Sequence, residues 1–454
     1  MEYNKSRGSA RFFPSKRNRG RPPEQLEVMR MGVVSVEKLA IHGGPPVRTK
    51  PWVSKYMGSE ALGAEEKARV LQVLEKKRIF RYLPDGLETS EAAALEEEYK
   101  RFVGTDYALA VNSGTSALIC ALIAVGVGPG HEVIIPAYTW VATAAAVAVV
   151  GAVPVLAEVD SSLTLDPQDL EAKITSRTKA VIVVHMRGIS AAMDEILAVA
   201  QKHNLMVIED VAQANGGTYR GRPLGSLGHV GCFSLQQSKV IAAGEGGMLV
   251  TNSEELWQRA VLYHDGAGYQ FRFLERKIPA FPGQNYRLTE LQAALSLGQL
   301  EKMPDLVRAT RENKRKLVER LRNQEKIELS PVFGTERDLG VSLIFYVADE
   351  EKARLTAQAL TAEGIPAFQV WDRRARDQHI YVNWEFLMAK RDPWGRSYPW
   401  SLAEGSSVDY SPETCPQTLA LLSRAVQIHL NHLVTEEDLR DIEAAINKVA
   451  FHLL

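Results

Sequence analysis

The residue in this sequence best suited to covalent chemistry is a lysine that leaves an apolar run and meets a glycine-rich stretch. It is Lys239, in Cys232-Phe233-Ser234-Leu235-Gln236-Gln237-Ser238-Lys239, with Gly244-Glu245-Gly246-Gly247 just beyond. A lysine amine condenses with an aldehyde when burial or nearby positive charge lowers its pKa enough to free the base. A solvated surface charge is the ordinary use of lysine, so the reading depends on its companions. Upstream, Asn112-Ser113-Gly114-Thr115-Ser116-Ala117-Leu118 passes from a strand end into a helix through a Ser-Gly-Thr turn. Free amides at a helix start, with two hydroxyls beside them, suit a phosphate; an ordinary N-cap with a turn glycine uses the same residues. Between these two features, Val207-Ile208-Glu209-Asp210-Val211-Ala212-Gln213-Ala214 delivers an acid at the carboxyl end of an apolar strand. Asp210 there either caps the next helix or meets a ligand, because open α/β sheets bind ligands beyond those strand ends.

Singly, each motif has an ordinary explanation. In this order along one sheet, a phosphate-binding turn, a strand-end aspartate and a later lysine are the parts that pyridoxal phosphate requires. The aspartate pairs with the protonated pyridine nitrogen and strengthens the ring as an electron sink. Ser234, five residues before Lys239, is placed to hold the phosphate of the same cofactor.

Such a set needs a scaffold that aligns strand ends. Short β-branched runs alternate with helical patterns from about Ala108 to Thr251, which predicts crossover units and a mainly parallel sheet. The strand candidates are Ala108–Val111, Val133–Ile135, Val153–Val159, Ala180–Val184, Met206–Glu209, Cys232–Leu235 and Met248–Val250. Several are apolar throughout, as expected where helices cover both faces. Helices are expected at Thr115–Val125 and Asp194–His203, then over Leu291–Gln324 as a connection to a second domain. A strand at Leu339–Val347 and helices at Glu350–Glu363 and Thr435–Val449 make the last third a smaller α/β unit. The expected division is a basic tail over residues 1–35, a large cofactor-binding domain over 36–300 and a small C-terminal domain over 301–454.

Composition narrows the class. The chain has 454 residues, a formal net charge of -1, 45% hydrophobic and 24% charged residues, which is the balance of a folded globular protein and not of a nucleic-acid binder. Cys120, Cys232 and Cys415 lie far apart without paired spacing, so neither a disulfide framework nor a metal site is expected, and a cytoplasmic setting is the default. The apolar stretch Val141–Val159 is interrupted by Gly151 and Pro154 and reads as a helix, a turn and a buried strand instead of a membrane span. The first residues carry Lys5, Arg7, Arg11, Lys16, Arg17, Arg19 and Arg21 against Glu2, but no apolar segment of the kind a secretory signal needs. They read as a disordered tail or as residues before a later start at Met29 or Met31.

On these motifs the sequence resembles the DegT/DnrJ/EryC1/StrS aminotransferases, enzymes of the aspartate aminotransferase fold (fold type I), from about Lys38-Leu39-Ala40-Ile41-His42-Gly43-Gly44 to the C-terminus. The resemblance implies a Schiff base on Lys239, which also moves the proton between substrate carbon and cofactor, and Asp210 at the pyridine nitrogen. It implies that Gln213 touches the phenolic oxygen and that Trp140, in Pro136-Ala137-Tyr138-Thr139-Trp140, stacks on the ring. Thr115, Ser116 and Ser234, with the turn at Gly114, would hold the phosphate. Asn285, in Gly283-Gln284-Asn285-Tyr286-Arg287, resembles the asparagine that reaches the phosphate from a neighbouring subunit, so a homodimer with shared active sites is implied. His185, in Val184-His185-Met186-Arg187-Gly188, fits a family motif near the site and reads equally as a satisfied structural histidine. Ala192-Met193-Asp194 stands where the family usually has Asp-Met-Asp, and His264-Asp265-Gly266 where Asn-His-Gly is common; both departures bear on the acceptor. Lysine in place of histidine at 239 disfavours the dehydratase branch.

The reaction implied has two ping-pong halves, an amino group passing from glutamate or glutamine to the cofactor and then to a keto acceptor. Leu39–Arg48, Gln236–Lys239 and His379-Ile380-Tyr381-Val382-Asn383-Trp384 resemble the branch with glutamine-dependent scyllo-inosose aminotransferases, so the acceptor expected is a keto-cyclitol or a keto-sugar, nucleotide-linked or free. Tyr381, Trp384 and Trp394 either line the acceptor site or pack in the core. Two other readings are a non-catalytic pyridoxal-phosphate-binding regulator, which would hold cofactor without turnover, and a nucleic-acid binder acting through the basic arm. No membrane partner is expected.

Overall fold

The structure is a computed structural model and describes residues 37–54, 56–82, 90–267, 270, 272, 278–402 and 408–454. The basic arm expected over residues 1–35 lies outside the described residues. All seven strand candidates form strands: β1 (Tyr107–Val111), β2 (Glu132–Pro136), β3 (Val153–Ala157), β4 (Thr178–Val184), β5 (Met206–Asp210), β6 (Val230–Ser234) and β7 (Gly247–Thr251). They build one sheet in the order β1-β7-β6-β5-β4-β2-β3, in which β7 alone runs antiparallel to its neighbours. The mainly parallel sheet expected from the apolar runs is therefore present.

Why these strands are apolar throughout is visible in their two faces. Leu109, Val111, Val133, Ile135, Ile182, Val184 and Ile208 point into one core. The alternate residues Ala108, Ala110, Ile134, Val181, Val183 and Val207 point into the core on the other side. With side chains alternating across the pleat and helices on both faces, neither set can be polar. The helix Gly114–Ala124 is correspondingly buried on almost every side. The stretch Val141–Val159 resolves into the helix Ala142–Val149, a turn at Gly151 and β3.

A 31-residue helix, Glu290–Arg320, then leads away from the sheet. Its first half contributes Ala293, Leu297, Leu300, Met303 and Val307 to one of the two cores that flank the large sheet. Its later residue Leu317 joins a different core, formed by helices Glu350–Ala362 and Glu436–Leu453 over a small antiparallel sheet. That sheet has β8 (Ser342–Tyr346), β9 (Ala367–Gln369) and β10 (Ala425–His429) in the order β8-β10-β9. On the central strand β10, Val426 and Ile428 face the two helices. By the two-residue period Gln427 and His429 face the opposite way, in register with Ile344 and Ser342.

Candidate active site

Register decides what meets at the carboxyl edge of the sheet. Val184 is paired with Asp210, Asp210 with Cys232, Ser234 with Gly247, and Gly247 with Val111. Because β7 runs the other way, its first residue lies at the edge where β1 and β6 end. The helix-start turn, the aspartate and the lysine loop thus arrive in one row, although Gly114 and Lys239 are more than a hundred residues apart in sequence.

This row lines a cavity of about 430 Å³ bounded by Ser113, Gly114, Thr115, Trp140, Thr143, Asp210, Gln213, Ser234, Lys239 and His379 among others. At one end, Ser113 caps the helix by accepting from the Ser116 amide at 3.0 Å. Gly114 approaches β6 so closely that a Cβ on it would stand 2.9 Å from Ser234 Cβ. Its backbone is ordinary helix, so glycine is required for space and not for conformation. The helix start and the Ser234 side chain are thereby pressed into one cradle of amides and hydroxyl, which fits a phosphate.

Asp210 is buried, its carboxylate accepting from the Ala212 amide and the Thr143 hydroxyl, both at 3.1 Å. Thr143 is in turn bonded to Thr139 at 2.9 Å, so two hydroxyls brace the acid. Burial raises the Asp210 carboxyl above its ordinary value, more than the Ala212 amide, the Lys239 charge and the Thr143 hydroxyl lower it. A carboxylate in that condition gains from a cationic partner, as a protonated ring nitrogen would be. The Lys239 ammonium has no hydrogen-bond or ion-pair partner among the described residues. Burial pushes its ammonium below the ordinary lysine value; Asp210 and Glu245 oppose this and Arg187 adds to it. Cradle, acid and amine together fit pyridoxal phosphate, with Trp140, 46% exposed at the cavity rim beside the His379 ring, available to cover it.

Two of the site residues expected from sequence do not line this cavity. Ser116 is buried and its hydroxyl is bonded to Asn112 at 2.6 Å and Ser113 at 2.8 Å, so it braces the turn. Asn285 is exposed elsewhere, its backbone bridging Asp265. His185 is a satisfied structural histidine: Nδ1 accepts from the Ala191 amide at 3.1 Å, which leaves Nε2 to donate to Glu209 at 3.1 Å. Glu209 also accepts from the amides of Gly225, Leu227 and Gly228. Tyr381 and Trp384 are buried in the core, and Trp394, 75% exposed, lies in a separate surface groove with Val149 and Trp400; none of the three lines the site.

The structure adds residues that sequence reasoning missed. Thr143 gave no signal inside an Ala-rich helix. His379 stands in a segment singled out for resemblance alone; it arrives because Thr139 and Val141 bond to the backbone of His379 and Gln378. Its Nδ1 is 2.7 Å from Asp377. A second cavity of about 580 Å³ adjoins the first, sharing Gln213, Gln236, Ser238, Lys239 and His379. Beyond Lys239 it is lined by Tyr56, Met57, Arg187, Asp377 and by Ser342, Phe368, Gln427 and His429 of the small sheet. The short helix Met57–Glu60 closes it, the Gly58 amide donating to the Lys239 carbonyl at 3.1 Å.

The model of the DegT/DnrJ/EryC1/StrS aminotransferase family matches residues 60–391. A putative L-glutamine:3-amino-2,3-dideoxy-scyllo-inosose aminotransferase of Micromonospora echinospora is 40% identical over 59% of this chain and 62% of that protein. The L-glutamine:2-deoxy-scyllo-inosose aminotransferase of Streptoalloteichus tenebrarius is 35% identical over 91% of this chain and 98% of that protein. Among solved structures, 3-amino-5-hydroxybenzoic acid synthase superimposes with a TM-score of 0.70 at 28% identity, covering 90% of this chain and 98% of that one.

Proposed function

Since the chain belongs to the DegT/DnrJ/EryC1/StrS aminotransferase family and is a pyridoxal-phosphate-dependent transferase, we propose that it moves an amino group from glutamine or glutamate to a keto-cyclitol or keto-sugar, with Lys239 holding the cofactor. The observation that carries this is a lysine amine with no hydrogen-bond or ion-pair partner among the described residues, lining the same cavity as a buried aspartate.

When bound, pyridoxal phosphate supplies an aldehyde for attachment and a protonated ring that takes up electrons from the reacting carbon. Gly114, Thr115 and Ser234 hold its phosphate, with Ser113 and Ser116 keeping the turn in shape. Asp210 holds the proton on the ring nitrogen, and Thr143 with the Ala212 amide keeps the carboxylate aimed. Gln213 orients the phenolic oxygen and Trp140 covers a ring face. Burial and the Arg187 charge free part of Lys239 as the neutral amine, the form that bonds to a carbonyl and takes a proton from carbon.

The second cavity is the place for donor and acceptor in turn. Apart from Arg187, Lys239 and Asp377 its polar walls are neutral or histidine side chains, Tyr56, Gln213, Gln236, Ser238, Ser342, His379, Gln427 and His429. Such groups suit the hydroxyls of a polyol, and the similarity to scyllo-inosose aminotransferases along most of the chain favours the cyclitol. Asn285, exposed and outside its own cavity, is proposed to serve the site of a second subunit, which makes the working form a homodimer. Buried free thiols at Cys120, Cys232 and Cys415 favour a cytoplasmic setting.

Borohydride reduction followed by peptide mapping tests the lysine: the cofactor should be fixed to Lys239, and Lys239→Ala should abolish trapping while leaving the far-ultraviolet spectrum intact. Trapping on another lysine refutes the assignment. Glutamine or glutamate should convert the cofactor absorbance, and a panel of keto-cyclitols and keto-sugars should reverse it. A spectrum unmoved by both amino acids would indicate a silent cofactor-binding regulator instead.

A further inference from the structure

We infer that Arg187 is the carboxylate anchor of the second cavity, taking the α-carboxylate of the amino-acid donor on the outer edge of its guanidinium. Three observations lead there. First, Arg187 lines this cavity together with Lys239 and Gln213. Its Nε donates to the buried Tyr138 hydroxyl at 3.0 Å, which ties down the inner edge of the group. The two terminal nitrogens have no hydrogen-bond or ion-pair partner among the described residues. Guanidinium is planar and always charged, and its fork matches a carboxylate bidentately.

Second, the backbone is shaped to present it. Arg187 has φ 53° and ψ 30°, the left-handed region that a side chain disfavours, and Gly188 follows at φ 80°. The surroundings impose this turn. The Arg187 amide donates to Gln213 Oε1 at 3.2 Å, the Gly188 carbonyl accepts from Leu339 at 2.9 Å, and a Cβ on Gly188 would meet Val341 Cγ2 at 2.9 Å. Unfavourable backbone conformations of this kind persist where the rest of the structure over-determines them, and they gather at ligand sites.

Third, the charges around it leave one place for a substrate anion. The other lining cation, Lys239, is the reacting amine, and the lining carboxylate Asp377 has its own hydrogen bond, to His379 Nδ1. A desolvated α-carboxylate needs a fixed cation, and Arg187 is the one that this cavity offers among its described lining residues. Gln427, which also lines the cavity, is 1% exposed, and neither its amide oxygen nor its nitrogen has a hydrogen-bond partner among the described residues. That neutral end complements an uncharged hydrogen-bonding group of the substrate, so the anion is directed to Arg187.

The inference rests on the proposed amino-acid donor, and its test separates the two. Holoenzyme is mixed with glutamine or with 4-aminobutanamide, which is glutamine without the α-carboxylate, and the amine half-reaction is followed by cofactor absorbance. Arg187→Gln should lower kcat/KM for glutamine roughly 10- to 100-fold, chiefly through KM, as expected for loss of a charged hydrogen-bonded pair. The loss with 4-aminobutanamide and with a neutral keto-cyclitol in the reverse half should be smaller by about tenfold or more, since those substrates feel only the removal of the Arg187 charge from beside Lys239. Arg187→Asn, whose side chain tolerates a left-handed backbone, should repeat the result and so exclude misfolding. Equal losses with all three substrates, or no loss with glutamine, would overturn the assignment. Wild-type holoenzyme that is silent towards glutamine and glutamate would instead remove the donor reading, and this inference with it.

Discussion

Replacing Gly114 by alanine sets two physical effects of opposite sign against each other. The residue opens the helix Gly114–Ala124, and helix propensity alone makes alanine better there by about 0.5–1 kcal/mol. The structure predicts the reverse. A Cβ at position 114 would lie 2.9 Å from Ser234 Cβ, 3.3 Å from Ser234 Oγ and 3.4 Å from Ser234 Cα. Carbon atoms rest at about 3.5–4.0 Å, so one partner must retreat by about 0.6 Å or more. Retreat is blocked on both sides. Ser234 is paired with Gly247 in the sheet, and a Cβ on Gly247 would itself stand 2.4 Å from the Ser113 carbonyl oxygen. Overpacking of this kind costs about 1–3 kcal/mol, which leaves a net destabilisation of up to about 2.5 kcal/mol after the propensity gain. The same displacement spreads the phosphate cradle, and loss of about 1.4 kcal/mol of charge-assisted bonding is about a tenfold weaker cofactor affinity. Urea denaturation of the cofactor-free protein reads the first quantity, and absorbance titration with pyridoxal phosphate the second. Adding Ser234→Gly, which removes the facing Cβ, should restore stability but not affinity. If Gly114→Ala is as stable as the parent and binds cofactor as tightly, the close approach is not what holds the cradle together.

Asp210→Asn keeps the size of the side chain and an oxygen for the Ala212 amide. It should therefore retain the fold and bound cofactor while losing at least 10²–10³-fold in turnover with glutamine, the scale of a lost preorganised charge; near-normal turnover would take Asp210 out of the mechanism. Lys314 is buried, with its ammonium 2.8 Å from Asp338 and 2.5 Å from the carbonyl of Ser342, a residue of the second cavity. Lys314→Met should cost about 3–5 kcal/mol in urea denaturation because it strands a buried carboxylate, and Asp338→Asn in the same chain should return part of it. A loss within the error of the method would show that the ion pair does not hold the long helix to the segment leading into the small sheet.

Much of the scaffold and of the cofactor end of the site was legible in the amino-acid order, because both depend on neighbours in sequence. Runs such as Val181-Ile182-Val183-Val184 and Val207-Ile208 can be nothing but doubly covered strands, and Ser113 before a helix beginning at Gly114 is a cap wherever it folds. Lys239, Asp210 and the Ser-Gly-Thr turn follow such elements directly, so their place at strand ends was readable too. What an apolar run does not encode is its direction. Met248–Val250 reads the same either way, yet only the antiparallel setting of β7 brings Gly247 against Ser113 and closes the cradle. The second cavity was beyond sequence reasoning for a related reason. Arg187, Ser342, Phe368 and Gln427 come from a strand-end turn and three strands of another sheet, and the contacts that join them belong to two packed surfaces. Burial likewise chose among the aromatics, sending Tyr381 and Trp384 to the core and leaving Trp140 at the rim. Local periodicity determines which face of an element is apolar; which other face it meets is settled only when the whole chain has packed.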